Sequence, residues 1–297
     1  MRRLQRAGLF GGLIGVLLTA PFIPSGYSQK GKPFQPGCTL PFEEIKNAKL
    51  PIDKQCGKLG DSADPLNQLQ STFKNNFCAV GDPVRINFST FDSLQTAAEQ
   101  KKVPFGRKTL PNGKSVEMLP DKTQRESLKG IFTDPSGNKI GEGSVVTLEG
   151  FVFKAQHSNT TLLGGAGESV NCHSGTLARN DIHIALASTT SVTNECETVT
   201  AEISPHFRPT SWDRFDINPK TKAAAKGLPL EEARVRITGQ LFFDASHSPC
   251  RKNPNGTFAK VTPARRSIWE IHPVYAIEVF DAKQKKFVSL DEFAKGK

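Results

Sequence analysis

Beyond residue 18 the sequence holds no long apolar run, so nothing downstream reads as a membrane-spanning helix of about 20 residues. The compact catalytic signatures are also missing. No CxxC occurs, so neither a thioredoxin-like redox pair nor a zinc knuckle is indicated. No HExxH places two imidazoles on one helix face, and no GxSxG elbow presents a nucleophilic serine. GRKTLPNGKS at 106–115 fails as a phosphate loop, because Gly106 stands too far from Gly113-Lys114-Ser115 and Pro111 interrupts. The GGAG at 164–167 does not match a dinucleotide fingerprint. Acidic residues are outnumbered, 29 against 39 Lys plus Arg, for a formal charge of +10. What remains has the composition of a folded, soluble protein with no motif that indicates a cofactor.

The N-terminus is organised for export. Arg2, Arg3 and Arg6 precede an uncharged apolar run at 7–18, and Gly26 and Ser28 stand at cleavage-like spacing. This predicts a signal peptide over 1–28 and a secreted or periplasmic protein. The competing reading is a retained anchor, for which the apolar run is short. Removing 1–28 leaves 36 basic against 29 acidic residues, a milder surplus of +7. That charge permits attraction to an extracellular or envelope polyanion.

All six cysteines lie beyond the signal, which in an exported chain predicts structural disulfides. Six allow fifteen pairings; the preferred arrangement is Cys56–Cys78, Cys172–Cys196 and Cys38–Cys250.

Residues 29–95 are rich in proline and hold Cys38, Cys56 and Cys78, which predicts a small loop-rich segment. A helix is expected from Pro65, capped by Asp64, and a short strand at 84–88. Residues 96–140 read as a polar, turn-rich linker, with turns at 111–114 and 134–138. From 141 to 285 the texture changes to period-two alternation, the signal of strands with one buried face. Strands are expected at 144–155, 181–188, 197–204, 234–244 and 267–281, with weak helical character at 219–233. Pro273 interrupts the last ladder and predicts a bulge or edge there. Residues 286–297 read as a tail. The order strand, strand, strand, short helix, strand, strand predicts a mainly β fold, an OB-like five-stranded barrel. A β-sandwich needs more strands than can be counted.

The runs NCHSGTLARNDIHIAL, ECETVTAEISPHFRP, VRITGQLFFDASH and SIWEIHPVYAIEV carry a resemblance. Over roughly 143–281 the chain resembles uncharacterised secreted bacterial proteins with an OB-fold-like C-terminal domain. The CGKLG…KNNFCAVGDP segment is similar to one that precedes such domains. The resemblance implies fold and export, and no chemistry.

Two constellations stand out. Strand parity places His183, Glu202, Glu270 and His272 opposite the apolar faces, with Asp244 and His247 at the end of the fourth strand and His206 after the third. Together these residues offer imidazole and carboxylate groups that suit a divalent metal, with His183, His247 and His272 as candidate ligands. A metal-bound water there would attack a phosphodiester or ester. Second, Arg179, Arg208, Arg214 and Arg236 with Trp212 suggest a basic, aromatic surface for a polyanion. Trp269 shares the core parity of its strand. The favoured expectation is an exported non-enzymatic binding or structural module with a polar, basic OB-type surface. The alternative is a metal-dependent hydrolase built on the His/acid cluster.

Overall fold

The computed structural model describes residues 28–46, 48–259 and 261–297; apart from Ser28, the signal segment expected over 1–28 lies outside them. Five strands form the centre: β1 (Val145–His157), β2 (Ile182–Ala187), β3 (Val199–Ile203), β4 (Arg234–Phe243) and β5 (Trp269–Asp281). Alternate side chains point to one interior, among them Ile182, Ile184 and Leu186 of β2, Val199, Ala201 and Ile203 of β3, and Val235 and Ile237 of β4. All are buried in a single apolar cluster, as strand geometry requires of residues two apart.

The pairing closes on itself. Strand β1 runs antiparallel to β2, β2 to β3, β4 to β5 and β4 to β1, while β3 and β5 meet in parallel at Ala201 and Ile271. The spatial order is therefore β1-β2-β3-β5-β4 and back to β1, a closed five-stranded mixed barrel of OB type. Within the barrel the long β1 serves two neighbours, pairing with β4 from Val145 to Phe151 and with β2 from Phe151 to His157. Closure needs Gly239 on β4. A Cβ there would sit 2.5 Å from Ile271 Cγ2 and 2.6 Å from the Pro273 carbonyl, where the β5 ladder shifts register on either side of Val274. The irregularity expected at Pro273 is thus a bulge.

The helix expected at Pro65 is α1 (Pro65–Lys74); Asp64 accepts from Leu66 N at 2.7 Å and Asn67 N at 3.2 Å. A short strand, Val84–Ile86, extends the sheet in parallel along β1, and α2 (Phe88–Gln100) follows. Both predicted turns close small hairpins, Arg107–Thr109 with Ser115–Glu117 and Phe132–Thr133 with Lys139–Ile140. The span 96–140 is not a free-standing linker. Val103, Leu119, Leu128 and Ile140 belong to the same apolar cluster as the barrel, as do Phe34, Phe77, Phe91 and Leu94. Nor is 286–297 a loose tail: Lys286–Ser289 pairs with β5, and Leu290 and Ala294 are buried.

Every cysteine is in a disulfide, but none of the expected partners holds. The pairs are Cys38–Cys78, Cys56–Cys172 and Cys196–Cys250. The N-terminal segment wraps over the barrel, and this brings Cys56 to the β1–β2 loop, 116 residues on. Three disulfides fit an oxidising compartment. Among the described residues no helix is long and apolar enough to cross a membrane.

Candidate functional site

On β2 and β3, His183 pairs with Glu202 across the ladder. Ala201 pairs with Ile271, so Glu202 and His272 are neighbours on the next pleat. Because Ile182, Ala201 and Ile271 point into the barrel, these three polar residues, with Glu270, point out of it. Yet β3 is buried on both faces. Its outer face is covered by α1, by the β1–β2 loop at 158–181 and by the β4–β5 loop at 244–268. Helix α1 leaves its apolar stripe, Leu66, Leu69 and Phe73, partly exposed and buries Gln68, Gln70, Ser71 and Lys74 instead.

The result is a dense ionic network. His272 Nδ1 lies 2.9 Å from Glu202 Oε2 and 3.2 Å from Glu270 Oε1. Arg265 Nη1 donates to Asp244 Oδ2 at 2.8 Å and to Glu270 Oε2 at 3.0 Å. His247 Nδ1 bonds to the same Asp244 Oδ2. Lys74 Nζ stands 3.6 Å from Glu168 Oε2 and 3.8 Å from Glu202 Oε2. His183 Nε2 faces the remaining oxygens, 3.7 Å from Glu168 Oε1 and 3.4 Å from Glu202 Oε1.

Burial and charge pull these groups apart in affinity for protons. Burial works to raise Glu202, but His183, Lys74 and His272 together hold it well below the usual carboxylate range. Asp244 is likewise held low, by His247 and Arg265 against the penalty of burial. Burial opposes the charge on His272, yet Glu202 pushes its imidazolium up to about 10. Glu270 is pushed up to about 7 by burial and by the negative charges of Glu202 and Asp244. Asp181 rises to about 7 through burial and Glu168. Burial lowers His183 in spite of Glu202 and Glu168.

Above the network opens a cleft of about 570 Å³ between α1, the hairpin at 107–117 and the two long loops, with Lys74, Glu168 and His247 on its walls. His183 and Arg265 line a separate crevice of about 90 Å³.

The structure brings together His183, Glu202, Asp244, His247, Glu270 and His272. It separates His206, whose Nδ1 lies 2.9 Å from Asp53 Oδ1 and whose ring packs on Phe34. That histidine fastens the N-terminal segment to the barrel. The basic, aromatic surface is not formed. Trp212 is 2% exposed, because the 3₁₀ turn Thr210–Arg214 rolls it into the core while its polar neighbours stay outside. Arg208 is buried too, donating to the carbonyls of Asn180 and Leu177 and pairing with Asp213 at 2.7 Å. Arg214 caps the carbonyls of Lys226 and Ala294. Arg236 lies on the β4–β5 side, paired with Glu278, and Arg179 lies beside the Cys56–Cys172 bridge. Lys74, Glu168 and Asp181 belong to the network without any local signal in the sequence. They come from covering segments, and no spacing rule links them to the strands.

No family model, no curated protein and no solved structure matches this chain.

Proposed function

We propose that the chain is an exported, non-enzymatic binding module, and that its ligand seat is the cleft above the buried network. The cleft lies between the β1–β2 and β4–β5 loops, where OB barrels take their ligands. Its volume of about 570 Å³ falls within the roughly 300–1,000 Å³ typical of small-ligand pockets.

The observation that carries the reading is the lining. Amides from Asn67 and Asn159 and hydroxyls from Ser71, Ser246 and Ser248 stand on the walls of the cleft. Lys74, Arg107 and His247 set three cationic groups against the carboxylates of Glu117 and Glu168. Among the described residues no Phe, Tyr or Trp lines the cleft, which disfavours a stacked nucleobase. The chemistry suits a hydroxyl-rich ligand with one anionic group, such as the acidic sugar unit of an extracellular or envelope polyanion.

The test is titration calorimetry with an oligogalacturonate and with a neutral malto-oligosaccharide of equal length. The acidic oligomer should bind, more weakly as salt rises, and Ser248→Trp at the exposed rim should abolish binding without lowering the unfolding temperature. Equal affinity for both oligomers, or no heat from either, would discard this reading.

A further inference from the structure

Glu168, Asp181 and His183 each offer one ligand atom, and the three atoms lie within 4.8 Å of one another. We infer that these residues hold a first-row divalent metal ion, Zn²⁺ or Mn²⁺, beneath the floor of the cleft. The inference does not rest on the cleft's occupant and would stand if no sugar binds there.

His183 Nε2 is buried and has no hydrogen-bond partner. Its two nearest acceptors, Glu168 Oε1 at 3.7 Å and Glu202 Oε1 at 3.4 Å, are too distant for an N–H···O bond. A buried imidazole nitrogen left in this way is costly unless something occupies the gap. Two donors each about 2.1 Å from one ion are themselves about 3.0–3.4 Å apart. His183 Nε2 and Glu168 Oε1, 3.7 Å apart, need to close by only about 0.3 Å to share an ion, with the Asp181 oxygen drawn in from within 4.8 Å.

Both carboxylates are already held in place by side-chain amides. Asn159 Nδ2 donates to Glu168 Oε1 at 2.6 Å, and Asn171 Nδ2 donates to Asp181 Oδ2 at 2.7 Å. Outer amides of this kind fix the orientation of metal ligands and are a recurrent part of metal sites. An imidazole with two carboxylates suits zinc, manganese or iron, whereas calcium and magnesium favour oxygen alone. Access exists from both sides: His183 is 22% exposed on the narrow crevice, and Glu168 reaches the cleft.

The opposing consideration is Lys74, an ammonium already close to Glu168 and Glu202. Its contacts, however, are with the Oε2 atoms, while the Oε1 atoms face His183. Three carboxylates surround the gap, those of Glu168, Asp181 and Glu202. Lys74 and His272 offset two of them, and the ion would displace the proton from the third, Asp181.

The test uses the untagged mature protein with its disulfides intact, stripped by chelator and titrated with ZnCl₂ or MnCl₂. One equivalent should bind at micromolar concentration or below. His183→Gln and Glu168→Gln should each weaken binding at least tenfold, and His173→Ala, on an exposed histidine, should not. In case the variants fold poorly, Mn²⁺ is added to the wild type and amide signals are followed by NMR. Paramagnetic broadening should centre on β2 and on residues 168–183. Sub-stoichiometric binding, unchanged affinity in both Gln variants, or broadening centred elsewhere would overturn the site.

Discussion

The barrel has two charged outer faces that differ chiefly in what lies over them. On β1, β4 and β5, Glu149 meets Arg234 and Arg236, and Arg236 reaches Glu278 at 3.1 Å. These groups stay in contact with water: Arg236 is 26% and Glu278 37% exposed. The guanidinium groups rest on Phe280 and Phe287, with Arg236 4.0 Å from the Phe287 centroid. On β2, β3 and β5 the same alternation presents Glu202, Glu270, His183 and His272, but loops and α1 cover them and leave only His183 partly open. Glu202 is only 1% exposed. An exposed ladder gains and loses little, because water solvates each charge nearly as well as its partner does. A sealed network has no such reserve; each group depends on the others for its charge. Such a network is weak evidence for stability and better evidence for function, since buried groups with displaced proton affinities gather at sites that bind or react.

The sharpest way to break this contrast is to remove the carboxylate that most groups share. Glu202→Leu leaves Lys74, His183 and His272 without their common counter-charge. The expected loss is about 3–5 kcal/mol in urea unfolding. A loss under about 1 kcal/mol would show that water enters the network and that the two faces are equivalent.

The half of the network that was legible in the sequence is the half carried by strands. Period two fixes which side of β2, β3 and β5 each residue takes, so His183, Glu202, Glu270 and His272 can be assigned to one exterior without knowing the pairing. Asp244 and His247 follow because they terminate β4. The rest comes from segments that dock over a distance. Helix α1 buries Gln68, Ser71 and Lys74 at i, i+3 spacing, a polar stripe that carries no sign of docking. Glu168 and Asp181 sit in a loop of irregular backbone. The disulfides were illegible for the same reason: Cys56 meets Cys172 only because the N-terminal segment crosses the barrel. Trp212 shows a further limit, since polar neighbours at 211 and 213 say nothing about which way a 3₁₀ turn faces.

A second, smaller effect separates the faces by pH. His272 titrates near 6.5 when free and is pushed up to about 10 in the folded protein. Its contribution to stability is therefore complete below pH 6.5 and is lost as pH rises towards 10, at up to about 1.4 kcal/mol per pH unit. Glu270, pushed up to about 7, has largely finished titrating by pH 8, so the interval from 8 to 10 isolates the imidazole. Over that interval the urea midpoint of the wild type should fall faster than that of His272→Gln. Parallel slopes would mean that His272 is neutral beside Glu202.

The smallest effect belongs to the open face. Arg236→Gln removes partners from Glu149 and Glu278, yet both carboxylates can turn to water. Glu149 also keeps Arg234 and, at 3.6 Å, Arg85. The expected cost is about 0.2–1 kcal/mol, part of it lost packing of the guanidinium against Phe287. The ionic part should vanish in 0.5 M NaCl, where screening is strong, and the packing part should remain. The Glu202→Leu penalty should change much less in the same salt, because Glu202, Glu270 and His272 are buried and screening acts weakly on buried pairs. Measuring both variants at low and high salt thus separates cover from charge. A salt-sensitive Glu202→Leu or a salt-insensitive, large Arg236→Gln would reverse the assignment of which face is closed.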